Sequence, residues 1–217
     1  TPTGWFDELS RSLSTARDGG LEPAVLAARL LPSPKGGHAA LLASLSDVGA
    51  RDDLPLTVRL DALVAAGPLP SVTPALFHAL SSTVSDDQPL GLRGAAASIL
   101  GAAALSSDQQ SQLLETVKAA GPLEAPKLLP AFEKSPSDEL GLKLVAALRA
   151  SNGLSGLRFD VVAKLLAKYS PAVRDAGKPL LEKLNASAAE QAAHLSTLLT
   201  ELPAGDVRRG HEVFLGK

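Results

Sequence analysis

Asp52-Asp53-Leu54-Pro55-Leu56-Thr57-Val58-Arg59 is answered 34 residues later by Asp86-Asp87-Gln88-Pro89-Leu90-Gly91-Leu92-Arg93, the same Asp-Asp-x-Pro-Leu-x-apolar-Arg pattern. An internal period in that range is the mark of stacked helical units, each too small to bury its own apolar face. Paired aspartates suit a helix entrance, where carboxylates accept from free N–H groups. Proline suits the first helical turn. Three positions after each arginine stands a small residue, Ala62 or Ala96, which predicts close approach of a neighbouring helix. Fainter echoes follow at Leu142-Lys143 with Ala146 and at Val173-Arg174 with Gly177, after Pro136 and Pro171. The four segments are expected to be the second helices of successive pairs.

Composition agrees with an all-α chain. Of the 217 residues 45% are hydrophobic but only 3% are aromatic, so the apolar volume is mostly Ala and Leu, the strongest helix formers. The net charge is −2, and no basic run is longer than Arg208-Arg209. A nucleic-acid backbone would need a clustered positive face, so no nucleic acid is expected as a partner. The longest weakly polar stretch, Gly94 to Leu105, is too short to span a bilayer. There is no cysteine, which excludes disulfides, thiolate zinc sites and thioether haem attachment within these residues.

Along the chain, Trp5, Leu9 and Leu13 share one helical face, and Trp5 is expected to anchor and cover the first end of the array. Helices are expected over 21–31 and 38–48, separated by a loop at 32–37. Further helices are expected over 73–84, 89–105, 108–119, 124–133, 138–150, 159–169 and 172–185. Ala65-Ala66-Gly67-Pro68-Leu69 and Ala119-Ala120-Gly121-Pro122-Leu123 read as helix stops, with glycine left-handed and proline blocking continuation. Ser107-Asp-Gln-Gln110 and Ser187-Ala-Ala-Glu190 have capping-box spacing and predict starts near 108 and 188. Ser151-Asn-Gly-Leu-Ser-Gly156 reads as a flexible loop; with no Gly-Lys-Ser/Thr after it and no strand before, it is not a phosphate cradle.

Chemistry is sparse. His38, His78, His194 and His211 fall on separate helices without ligand spacing, so no metal site is expected. The aspartate pairs have a capping explanation, and the common hydrolase signatures are missing, so neither catalytic nor cofactor-binding residues are assigned. The basic positions Arg59, Arg93, Lys143 and Arg174 are the candidates for function. They either bond carboxylates and carbonyls of neighbouring units or line a concave face that meets an acidic partner.

The apolar-Arg-x-x-Ala helix after a proline turn, at a period of 34, resembles HEAT repeats over about residues 20 to 185. The tail, Leu202-Pro-Ala-Gly-Asp206-Val-Arg-Arg-Gly210-His-Glu-Val-Phe214-Leu-Gly-Lys217, resembles the opening of a c-type cytochrome domain, in which such a helix precedes Cys-x-x-Cys-His. Together they resemble the large haem-binding proteins of planctomycetes and verrucomicrobia, which join a sugar-dehydrogenase-like propeller, HEAT-like repeats and a C-terminal cytochrome c. Ala120-Gly-Pro-Leu-Glu-Ala-Pro-Lys-Leu-Leu129, Tyr169-Ser-Pro-Ala-Val-Arg174 and Gly4-Trp5-Phe6 add to the likeness.

The resemblance implies an α-solenoid of antiparallel helix pairs over 1–203 and the start of a cytochrome domain over 204–217. It implies a non-catalytic spacer between redox modules in a periplasmic or envelope protein, with haem c downstream of Lys217 and no cofactor in these residues. Adjacent domains of the same polypeptide or another protein would be its partners. Two rivals stand beside it: a free-standing adaptor holding a protein or peptide on a concave face, and a HEAT-like lyase or DNA glycosylase. With the haem domain that would cover them missing from this chain, residues 206–217 are expected either to bury Phe214 near 195–202 or to be the most mobile part of the chain.

Overall fold

A computed structural model describes residues 3–15, 20–31, 38–134, 136–201 and 205–216. The expected loop at 32–37 and the expected domain boundary at 203/204 lie outside the described residues. Twelve α-helices follow one another and, among the described residues, there is no strand. They are α1 (Thr3–Thr15), α2 (Leu21–Leu30), α3 (Ala39–Ala50), α4 (Leu56–Ala66), α5 (Pro74–Thr83) and α6 (Leu90–Ala102). After these come α7 (Ser107–Ala119), α8 (Ala125–Leu128), α9 (Asp138–Arg149), α10 (Phe159–Leu166), α11 (Pro171–Glu201) and α12 (Val207–Phe214). The packing runs along the chain: α1 on α3, α2 on α4, α4 on α6, α5 on α7, α6 on α8, α7 on α9 and α9 on α11, with α1 on α2, α3 on α4, α5 on α6 and α10 on α11 also in contact.

The deciding stretch builds α4 with two buried faces. Val58, Ala62 and Ala66, four residues apart, join a cluster with Phe6, Leu41 and Leu45 of α1 and α3. Leu60 and Leu63, on the other side, join a larger cluster that continues to Leu184. Ala62 and Ala96 are both wholly buried, as the 34-residue repeat predicts. Ala146 is exposed, as are Leu142 and Lys143, so the third echo is out of phase. On α9 it is Gly141, buried against Tyr169 and Val173, that faces the next helix. The fourth echo keeps its small residue, since Gly177 is buried against Leu166.

Several local expectations are corrected. The aspartate pairs do not cap. Pro55 and Pro89 occupy the position just before each helix, without a side-chain cap, and their carbonyls accept from Arg59 N (3.2 Å) and Arg93 N (3.1 Å). Asp53 instead takes the fork of Arg51 at 3.1 and 2.6 Å, and Asp86 pairs with Arg93. Gly67 is left-handed (φ 79°) and ends α4 as expected, but α7 ends at Ala120 with φ −60°, and Gly121 does not take a positive φ.

The capping box of α7 is set one residue earlier than the spacing suggested. Ser106 Oγ accepts from Gln109 N at 3.2 Å, and Gln109 Oε1 accepts from Ser106 N at 3.0 Å. No helix starts near 188, because α11 runs unbroken through it. Helix α6 stops at Ala102, where the chain turns aside and Ala104 N donates to Leu69 O at 2.9 Å. The helix expected over 124–133 is α8 followed by a 3-10 turn over Leu129–Phe132, since Pro130 has no N–H to continue the α ladder.

Candidate functional site

The four basic positions do not converge. Arg59, half-buried, sends Nε to the carbonyl of Gly49 at 3.2 Å and so ties α4 to the end of α3. Arg93 has only 17% of its side chain exposed; it pairs with Asp86 and lies 3.5 Å from Oε1 of Glu124, which is 1% exposed. That last contact is an ion pair without a hydrogen bond, and it joins α6 to the segment before α8. Lys143 pairs with Glu139 one turn back on its own helix, and Arg174 is exposed on α11. Two of the four therefore connect neighbouring helices, while the other two stand on the surface.

The surface charges are engaged locally. Lys143 holds the Glu139 carboxyl below its ordinary value by a hydrogen bond, and Arg158 and Lys178 do the same to Asp160 and Asp175. All are solvent-exposed pairs, which contribute little to stability. His38 is structural: its Nδ1 accepts from Leu41 N at 3.2 Å at the start of α3, and its Nε2 lies 3.0 Å from Asp7 Oδ1. His78, His194 and His211 are exposed on three different helices. Among the described residues no group of three His, Cys, Asp or Glu side chains could hold a metal ion.

The buried polar groups carry information that the sequence pattern does not. Gln109 and Gln110 donate to the carbonyls of Val72 and Ala131, each at 2.8 Å. Ser151 Oγ donates to Val117 O at 2.8 Å, and Asn152 N donates to Lys118 O at 3.0 Å. The segment expected to be a flexible loop is thus fastened to α7. Gly156 is required by contact, since a Cβ there would lie 1.9 Å from the carbonyl oxygen of Pro122. Two of these donors, Gln109 and Gln110, fall inside the capping signature at 107–110. No local signal marks Glu124 or Ser151, whose partners are distant in sequence.

Clefts open at several places on the surface of the described residues. A polar one of about 420 Å³ lies between Ser81, Asp86, Glu115, Thr116 and Asn152, with Asp86 engaged by Arg93 and Glu115 by Lys118. An apolar groove of about 490 Å³ lies between α1 and α2, lined by Trp5, Leu9, Ala27, Leu30 and Leu31. Trp5 is 59% exposed, so it does not seal the first end of the array; Phe6 and Leu13 are the buried residues of α1. Another cleft, about 580 Å³, sits where α10 begins against α11, between Leu157, Phe159, Leu184, Asn185 and Gln191.

Exposed apolar side chains occur along the array, Leu90, Leu123 and Leu142 among them, and at its two ends. At the first are Trp5, Leu26 and Leu30; at the last are Leu195, Leu198 and Leu199 of α11 and Val213 and Phe214 of α12. Asp206 caps α12 as expected, accepting from Arg208 N and Arg209 N. Phe214 is 87% exposed and is not buried near 195–202. No helix of the described residues is long and apolar enough to cross a membrane.

Comparison with protein-family models, with curated proteins and with solved structures gives no match for this chain. What the geometry itself defines is an all-helical protein of repeat-like packing.

Proposed function

We propose that this chain is a HEAT-like α-solenoid of antiparallel helix pairs that works as a non-catalytic spacer between two redox modules, a propeller of the sugar-dehydrogenase type and a c-type cytochrome. The observation that carries this reading is the last helix, which Asp206 caps and which leaves Val213 and Phe214 exposed. On α12 Phe214 is 87% exposed, and at the first end Trp5 is 59% exposed. Terminal units of a free repeat protein are covered by polar outer faces. Open apolar ends suit attachment to neighbouring domains of the same polypeptide.

The likeness of residues 202–217 to a cytochrome opening supplies the identity of one neighbour, with haem c beyond Lys217 and a periplasmic or envelope location. This chain has no cysteine to attach the haem, so its own part is to position the module and set its distance from the other. The concave-face adaptor is less well supported. It drew on a basic stripe, and Arg59 and Arg93 are directed into the stack.

The test is to express the parent polypeptide where haem is attached, and to compare it with a version carrying one additional helix pair. Residues 1–217 alone are expected to stay colourless, the parent to be a covalent haem protein, and the lengthened version to pass electrons between modules more slowly. A natural continuation without Cys-x-x-Cys-His, or transfer indifferent to the inserted pair, would overturn the reading.

A further inference from the structure

We propose that two copies of this chain pair antiparallel through the projecting end of α11. As far as Leu184 this helix belongs to the stack, with Val173, Leu180 and Leu184 buried and α9 and α10 packed against it. Beyond Leu184 the same face continues in phase. At 3.6 residues per turn Gln191, Leu195 and Leu198 fall in line with Leu180 and Leu184, with Leu199 at the edge. Yet Leu195 is 56%, Leu198 44% and Leu199 62% exposed. The stripe is therefore the continuation of an existing helix interface past Phe159, where α10 begins.

A second copy of the same helix fits this stripe in three respects. From Ala186 to Thr200 the only carboxylate is Glu190 and there is no Lys or Arg, so two such helices can lie side by side without opposing like charges. The cleft at the root, between Leu157, Phe159 and Leu184, receives the tip of an antiparallel partner. A two-fold axis makes the two tip-to-root contacts identical and sets the helix dipoles in opposition. A parallel pair would instead bring both bodies to the same end, where residues 154–160 flank the root. The register that carries each tip to the other's root brings the two copies of Gln191, in the middle of the stripe, close together.

Analytical ultracentrifugation of the full chain over a range of concentrations tests this. The mass is expected to move from 22.2 kDa toward twice that value as concentration rises. The double variant Leu195→Glu/Leu198→Glu should stay at the single-chain mass with an unchanged circular dichroism spectrum, and Leu30→Glu, in the other apolar groove, should still pair. The chain has no cysteine, so introduced thiols have no competitor. Gln191→Cys should cross-link to a covalent dimer on oxidation, and Ala193→Cys, on the far side of the helix, should not. A single-chain mass at every concentration overturns the proposal. So does pairing that survives the double glutamate variant, or cross-linking through position 193 in preference to 191.

Discussion

Tyr169 donates its phenolic hydrogen to the carbonyl oxygen of Phe132 at 2.6 Å, a bond between groups 37 residues apart that joins the end of α10 to the 3-10 turn after α8. Tyr169 is 6% exposed, and its burial, with the nearby Glu133 carboxylate, pushes the phenol up to about 12. The fold thus holds the neutral form. Its contribution to stability is full below the ordinary value near 10 and is lost as pH rises toward 12. Since this is the only tyrosine, ultraviolet absorbance reads it directly, and the titration should move back toward 10 in denaturant. Tyr169→Phe should lose this alkaline dependence and cost about 1 to 3 kcal/mol at neutral pH, because the carbonyl loses its donor.

Ala96 has no exposed surface and belongs to the larger apolar cluster. Ala96→Leu should cost about 1 to 3 kcal/mol through overpacking. Ala146→Leu, at an exposed position, should change stability by less than about 0.5 kcal/mol. Urea midpoints of the two variants measure the difference, and equal midpoints would show that the packing phase is wrong.

Glycines at two positions should respond with opposite signs. A Cβ at Gly101 would lie 1.9 Å from the carbonyl oxygen of Lys127, so Gly101→Ala must displace backbone and should cost at least about 1 kcal/mol. Nothing lies within 4 Å of a Cβ at Gly91, inside α6. Gly91→Ala should therefore stabilise by about 0.5 to 1 kcal/mol, by the lower entropy of the unfolded chain. Thermal melts of the two variants should shift in opposite directions.

The α7 entrance gives a comparison of adjacent serines. Ser106→Ala removes the hydroxyl that accepts from Gln109 N and should cost about 1 kcal/mol. Ser107→Ala, one residue inside the helix, should be neutral within about 0.5 kcal/mol. Chemical denaturation that ranks them the other way would return the cap to the position that sequence spacing alone suggested.

Much of the helical order could be read from local chemistry. Thr73 accepts from Leu76 N, Gly67 takes the left-handed turn, and Ala62 and Ala96 are buried where their spacing placed them. The phase of the later echoes could not be read, because helices rich in Ala and Leu are apolar on more than one side. An apolar-basic pair such as Leu142-Lys143 then fits several rotations, and packing against Tyr169 chose Gly141. Capping spacing at 187–190 was misleading for a related reason: Ser and Glu three apart also occur within a continuous helix, where nothing local says that a start is absent. Trp5 and Phe6 are adjacent, so either could have faced inward, and the choice fell to Phe6 through its contact with His38. The ionic node at Arg93 depended on Glu124, a residue 31 positions away, which no periodicity could bring to it.

The two-sided helix α4 has a mechanical consequence. Since Val58, Ala62 and Ala66 serve one apolar cluster while Leu60 and Leu63 serve the other, α4 is a party wall between two rooms. If α1 to α3 were pulled away, one face of the wall would be laid open to water while the other stayed clad by α6. Force applied at the first end of the chain would therefore peel three helices as a first event and then meet a fresh resistance at α4, giving an extension trace in two steps.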